Sequence, residues 1–326
     1  MDAAPAMATE LDRVVDAIRS HPGLWNKSAI GLVTEVLGPS DWLTGPGDDA
    51  AAVDAPGFPG GKVVACGEAL LPPFVQADPY GAGIAAVLTN VNDVAATGGV
   101  PLGIVNTIAA RESDARAILS GLRHAGELYD VPILGGHLTP YDGPPALSAF
   151  AVGTAREVLS VTRVRSGQSL VVACALGGAM RSDFPFYAAF EQRGRDCAGD
   201  VRTLAQVADS GACVAAKDIS MAGLAGSLAM LLEWSGLGAS VDLDRLPRPD
   251  DVPVADWVTC FPSFGFLLCT PPGREDECIE PFTRRGLPAA AVGRIDDSGT
   301  VSLSLAGRAR TALSVVDEPA TRLAVR

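Results

Sequence analysis

The sequence predicts an α/β (α+β) protein of two units, residues 1–158 and 159–326, from three observations. Its 326 residues suffice for about two domains at ~150 residues each. Short apolar runs of strand length alternate with longer runs whose apolar residues recur at helical spacing. The pattern breaks near 156–166, where Arg156, Arg163 and Arg165, with Gly167, interrupt it before the same style resumes.

The elements follow in order. Leu11, Val14, Val15 and Ile18 fall on one face of a helix over 9–20 with Thr9 as its N-cap, and Ser28 is placed to cap a second short helix ending near Gly38. A glycine-punctuated loop, a short apolar strand, a Gly/Pro turn and a strand around Lys62–Cys66 read as a hairpin with carboxylates at its edges. Residues 81–97 form the clearest helix of this half. Asn90, Asp93 and Thr97, at i, i+3 and i+7, run a polar stripe down it. A strand over 101–109, a helix capped by Ser113 and running to about Tyr129, a strand over 131–134, a turn at Gly135-Gly136-His137 and a strand over 147–155 complete the first unit. The second unit reads as a buried strand over 169–176, helices around 184–193 and within 200–209, and a strand that turns helical at Met221. Leu224, Leu228, Leu231 and Leu232 line one face of that last helix. A proline-rich connection, the apolar strand FGFLLCT, a charged helix around 274–285 and a last strand near 289–295 follow.

Composition excludes whole classes of function. With 38 acidic against 25 basic residues and a formal net charge of −13, the chain lacks the Lys/Arg excess that phosphate backbones require, so nucleic acid is not its partner. No apolar run approaches the ~20 residues of a membrane span. The opening MDAAPAMATELDR has neither the basic start nor the apolar core of a signal peptide, so a cytoplasmic protein is expected. Seven scattered cysteines without a CxxC pair read as reduced and buried, and three histidines exclude a histidine-rich metal site. The 36 glycines suggest tight turns and close backbone approaches of the kind phosphate-handling enzymes use.

The most specific element is Gly45-Pro46-Gly47-Asp48-Asp49-Ala50-Ala51-Ala52-Val53. Adjacent carboxylates repel unless a cation compensates them, and glycines let backbone N–H groups approach anionic oxygens. A magnesium–nucleotide site is the economical reading, since Mg²⁺ takes a few carboxylates together with phosphate oxygens; a solvated Asp-Asp turn is the alternative. Glu68 ends an apolar strand and Asp93 lies on the polar stripe, so Asp48, Asp49, Glu68 and Asp93 can together hold one or two divalent ions, unless Asp93 is a surface residue. Gly135 and Gly136 permit close approach to phosphate, with His137 as donor or acid, or else form a structural turn. Asp218, Ser220 and Gly223 open a glycine-containing helix and form either an anion site or a simple cap. Lys27, Arg181 and Lys217 are candidate phosphate partners. Neither a GxGxxG fingerprint nor a P-loop, serine elbow or kinase motif set is present.

Taken together, GPGDDAAAV, NVNDVAATGGVPLG, ILGGH, KDISMAGLAG and FPSFGFLL resemble the aminoimidazole ribonucleotide (AIR) synthase, or PurM-like, superfamily over residues 25–295. Its members include selenophosphate synthetase, thiamine-monophosphate kinase and the hydrogenase-maturation carbamoyl dehydratase. The resemblance implies an ATP-binding, dimerising N-terminal domain whose homodimer builds a β-barrel and Mg-ATP clefts, and a C-terminal α/β substrate domain. On this pattern Asp48 and Asp49 match the loop aspartates and Asp93 the helical Asn/Ser-Asp motif, while Gly135, Gly136 and His137 match a Gly-Gly-His/Asp turn. Gly47 and Asn90 are candidate nucleotide-binding residues; Asp218, Ser220 and Gly223 match the substrate-facing segment, and Arg181 is a further candidate substrate residue. The sequence departs from the pattern at Cys66-Gly67-Glu68, where Glu68 stands in for an aspartate, at Leu138, and at Met221 and Ala222. It also lacks the carrier cysteine of the dehydratase and the cysteine beside Lys27 of selenophosphate synthesis. The expectation is Mg-ATP-dependent phosphoryl transfer to an oxygen of a small substrate, activating an amide or carbonyl for cyclisation or dehydration, with Lys27, His137 and Asp218 in catalysis. A kinase resembling thiamine-monophosphate kinase and a non-catalytic ATP-binding regulator are the alternatives.

Overall fold

The computed structural model describes residues 9–38, 44–45, 47–57, 59–182 and 184–323; the opening eight residues and Pro46 of the aspartate motif lie outside them. Helix α1 (Glu10–Ser20) starts at a capping box in which the Thr9 hydroxyl accepts the Asp12 N–H and the Asp12 carboxylate accepts the Thr9 N–H. It buries Leu11, Val14, Val15 and Ile18. The single Ser28-capped helix expected next is instead α2 (Pro22–Trp25), a 3₁₀ turn (Asn26–Gly31) containing Ser28, and α3 (Leu32–Leu37). Pro22, with its φ fixed for a first helical turn, starts the helix early, and the His21 ring nitrogen accepts the Gly23 N–H as its cap.

Strands β1 (Ala51–Asp54) and β2 (Lys62–Ala69) form the expected antiparallel hairpin. Helices α4 (Pro72–Ala77) and α5 (Pro79–Ala96) follow, then β3 (Val100–Ala110), α6 (Glu112–Tyr129), β4 (Ile133–Pro140) and β5 (Ala146–Ala155). Ser113 does not cap α6. It lies in the first turn, and Arg111 holds the N-cap position without a side-chain bond. The sheet runs β1-β2-β5-β3-β4 and is open within the chain, with β1 and β4 at its edges.

Gly135-Gly136-His137 is not a turn. It lies inside β4, which pairs parallel with β3. The Asn106 amide donates to the Gly135 carbonyl, and a Cβ on Gly136 would lie 2.1 Å from the Asn106 carbonyl oxygen. The glycine there serves close strand approach rather than reversal. One face of this sheet packs on α5, while the other is bare: Leu134, Val53, Phe150 and Val105 are 59%, 52%, 44% and 37% exposed.

The second unit contains β6 (Ser169–Cys174), β7 (Phe186–Tyr187), α7 (Phe190–Arg193), α8 (Cys197–Ser210), β8 (Ala215–Asp218), α9 (Gly223–Glu233), β9 (Gly238–Asp242), α10 (Val254–Thr259), β10 (Phe261–Pro262), β11 (Gly265–Thr270), α11 (Glu275–Thr283), β12 (Ala289–Asp296), β13 (Thr300–Leu305) and β14 (Arg308–Ser314). The expected helix around 184–193 shrinks to the one turn of α7, because Phe186 and Tyr187 pair with β10. The strand expected to be last is followed by the β13–β14 hairpin. Seven strands join as β14-β13-β9-β12-β6-β11-β8, and β6 and β11, fifth and sixth in that order, are buried at every position. Helix α1, counted with the first unit in sequence, packs on the second. The Arg19 guanidinium donates to the carbonyls of Ala312 (2.9 Å) and Thr311 (3.0 Å), and Arg310 pairs with Asp12 at 3.1 Å.

All seven cysteines are free, and all but Cys66 are buried. Among the described residues no helix is long and apolar enough to cross a membrane.

Candidate functional site

The two aspartates of the glycine loop point to different partners. Gly47 takes φ +100°, a conformation open to glycine, and sends the chain into β1. Asp48 faces the connection between the units: its carboxylate accepts the Gly45 N–H (2.8 Å), the Ser160 hydroxyl (2.7 Å) and the Val161 N–H (2.7 Å). Burial lifts its pKa to about 6 against these three donors. Asp49 turns to β8, where its carboxylate accepts the Asp218 N–H at 3.0 Å and pairs with the Lys217 ammonium. Lys217 also donates to the Gly47 carbonyl at 3.2 Å. The loop is thereby fastened to both units, by Asp48 at the connection and by Asp49 at the end of a seven-stranded-sheet edge strand.

Three carboxylates converge there. Asp49 from the loop, Asp93 from α5 and Asp218 from the end of β8 each present an oxygen within 4.8 Å of the others. Asp93 and Asp218 are buried, and among the described residues neither carboxylate accepts a hydrogen bond. Burial, followed by the charges of Asp218, Asp49 and Glu68, raises Asp93 well above the usual carboxylate range. Burial and then Asp49 lift Asp218 to about 7, opposed by Lys217 and Lys27. Buried carboxylates without donors are costly when ionised and alone. Oxygen ligands of this kind suit a divalent cation such as Mg²⁺, so the donor set fits the expected metal. Lys217, which burial alone would pull down, is held above its ordinary value by Asp49, Asp218 and Asp93.

The remaining sequence candidates distribute around this centre. Lys27, in the 3₁₀ turn after α2, lies within electrostatic reach of Lys217, Asp218, Asp49 and Glu68, and burial is the main cause that lowers its pKa. Glu68, on β2, keeps solvent access on the sheet surface. The protein crowding it raises its pKa, Lys27 opposes this, and Asp49 adds to it; Glu68 is not one of the three converging groups. Asn90 is buried one turn before Asp93, its amide donating to the Ala86 carbonyl beside the Cys66 thiol. Ser220 donates its backbone N–H to the Ser227 hydroxyl (3.1 Å) in the turn that leads to Gly223, whose φ is +63°. Arg181 pairs with Glu191 on the 177–191 segment, and Gly135, Gly136 and His137 lie along the exposed edge strand β4; none of these four belongs to the carboxylate trio. Sequence reasoning placed Asp218 with substrate and Asp48 with metal, whereas the fold brings Asp218 into the trio and turns Asp48 away. It missed Ser160 and Val161 altogether. The signal for Lys217 was a charge between apolar strand residues, which has to find a buried partner.

A cavity of about 400 Å³ opens beside Asp48, Asp49 and Cys66 and is walled by Val33, Leu37 and Leu323. A larger groove of about 740 Å³ crosses the outer face of the seven-stranded sheet past Ser240, Arg294 and Ser302. It holds none of the converging carboxylates, so the smaller cavity is the one joined to the chemistry.

Comparison with known proteins gives matches over both units. Residues 47–155 match the AIR synthase related protein, N-terminal domain, and residues 181–306 the AIR synthase related protein, C-terminal domain. An uncharacterised protein of Synechocystis is 31% identical over 279 residues, covering 84% of this chain and 85% of the relative. Thiamine-monophosphate kinase of Rhodopirellula baltica is 28% identical over 276 residues, covering 77% and 83%. The fold superposes on T. maritima PurL complexed with ADP with a TM-score of 0.77 at 18% identity, covering 96% of this chain and 52% of that one. The chain therefore spans about half the length of that relative.

Proposed function

This chain belongs to the AIR synthase-related (PurM-like) superfamily, and from that premise we propose that it binds Mg-ATP at Asp49, Asp93 and Asp218 and transfers the γ-phosphoryl group to an oxygen of a small substrate. The observation that carries this reading is the convergence of those three carboxylates from a loop, a helix and a strand, with Asp49 also lining the 400 Å³ cavity. A bound divalent ion neutralises charge on the β- and γ-phosphates, which is most of what phosphoryl transfer requires of its surroundings. The protein's own residues do the rest. Gly47 and Asn90 shape the nucleotide side, Lys27 supplies positive charge at the rim, and Asp48 holds the loop through Ser160 and Val161. Asp218, Ser220 and Gly223 lie on the acceptor side, at the turn into α9.

We place the acceptor among carbonyl-type oxygens, with activation followed by loss of phosphate, because Met221 and Ala222 give that turn an apolar character suited to a neutral amide. The similarity to a thiamine-monophosphate kinase favours a second reading, a small-molecule kinase. The bare face of the five-stranded sheet, with Phe150, Leu134 and Val105, and the β4 edge carrying Gly135, Gly136 and His137, suit a homodimer interface in which residues 1–158 dimerise and residues 159–326 take substrate.

The test is calorimetric and then stoichiometric. ATP affinity should depend on Mg²⁺, and equal affinity in EDTA rejects the site. With a turnover substrate, phosphate should appear free while the organic product carries none; a stably phosphorylated product selects the kinase instead.

A further inference from the structure

The carboxylate centre contains a cation of its own. Lys217 lies on β8, opposite Leu267 of β11, and only 7% of its side chain is exposed. Its ammonium pairs with Asp49 and donates to the Gly47 carbonyl, so it is held at two points and cannot withdraw to solvent. Four carboxylates, Asp49, Asp93, Asp218 and Glu68, act on one another here, together with two ammonium groups, Lys217 and Lys27. With all four carboxylates ionised, the state a bound cation would favour, four negative and two positive groups leave two negative charges, the complement of one divalent ion. Without Lys217 the balance would be three.

We propose that Lys217 is a resident counter-ion that fills the position of a second metal, so that each chain binds a single divalent cation at Asp49, Asp93 and Asp218. This rests on the metal-site reading above and deepens it, because it fixes the stoichiometry of the site and makes Lys217 the residue that sets it. A second divalent ion on Asp49 would lie against an ammonium that has no alternative place to go. Lys217 is thus a positioning residue, acting through Asp49 and the Gly47 carbonyl.

The experiment is titration of the metal-free full chain with MnCl₂ alone, followed by calorimetry and by the electron paramagnetic resonance of free Mn²⁺, on wild type, Lys217→Met, Lys217→Gln and Lys217→Arg, with circular dichroism melts to establish folding. Wild type and Lys217→Arg should bind one Mn²⁺ per chain, and Lys217→Met should bind two. Lys217→Gln can still donate to the Gly47 carbonyl, so it supplies the uncharged variant if Lys217→Met does not fold, and it too should bind two. Two ions on wild type, or one ion of unchanged affinity on the uncharged variants, overturns the proposal while leaving the metal site standing. No Mn²⁺ binding by any of the four overturns the metal site and the proposal together.

Discussion

The two sheets of this protein bury their apolar residues in different ways. In the seven-stranded sheet, β6 and β11 each lie between two neighbouring strands and are covered on both faces, with every residue of each buried. In the five-stranded sheet the strands alternate: on β5, Leu147, Ala149 and Ala151 are buried while Phe150 between them is 44% exposed. The first pattern is complete within one chain. The second leaves a row of large apolar side chains that soluble proteins generally cover. Apolar content alone does not distinguish these cases. What distinguishes them is whether the alternate residues of a strand have a second layer to meet.

The strongest way to sharpen that contrast is a charge in each sheet. Leu268→Asp in β11, which is 0% exposed and lies between Ala216 and Val171, places an unpaired carboxylate in a two-sided core and should cost more than ~4 kcal/mol, enough to prevent folding. Phe150→Asp on the bare face should leave the fold within about 1 kcal/mol of wild type in urea denaturation. It should nevertheless shift light scattering from dimer to monomer. Equal damage from both would break the comparison, as would a wild-type monomer at micromolar concentration.

The seam between the sheets comes next. Asp48→Asn strands some of the donors of Gly45, Ser160 and Val161 and should destabilise by about 1–3 kcal/mol. Its pH dependence has a definite sign. Asp48 is lifted in the folded state to about 6 from 3.8, so the folded protein binds the extra proton between those values, and stability falls as pH rises from about 4 to about 6. Asn has no proton to lose, so the gap between wild type and Asp48→Asn should narrow from pH 5 to pH 8. A gap that widens would contradict the burial of this carboxylate.

At the centre, Asp93→Asn should weaken Mg²⁺-dependent ATP binding by about 1–3 kcal/mol, measured by calorimetry. Glu68→Gln lies outside the converging trio and should weaken it least; an effect equal to that of Asp93→Asn would bring Glu68 into the first coordination layer.

Much of this was readable from local chemistry. The Thr9 cap, the β1–β2 hairpin, the polar stripe of α5 and the uninterrupted apolar strands β6 and β11 each follow from residues near one another in sequence. Gly135 and Gly136 deceived because a glycine pair signals a turn from the chain alone, and only the neighbouring β3, with Asn106 crowding in, makes it a close-packed edge. The β13–β14 hairpin escaped because TVSLSL alternates with serines and carries a weak apolar signal. The site was half legible. Asp49 and Asp93 stood out by type and spacing, but the opposite turns of Asp48 and Asp49 depend on Ser160 and Asp218, more than a hundred residues away.

The docking of α1 sets a schedule for the growing chain. Arg19 bonds Ala312 across a sequence separation of 293 residues, and ribosomes add roughly 5–20 residues per second, so α1 waits roughly 15–60 s for its binding surface to emerge. The segment that follows it carries Lys27 to the carboxylate centre. During synthesis α1 is therefore among the last elements to find its place, and the nascent chain holds a complete set of acidic ligands only after β8 is made and a fixed Lys27 only after β14.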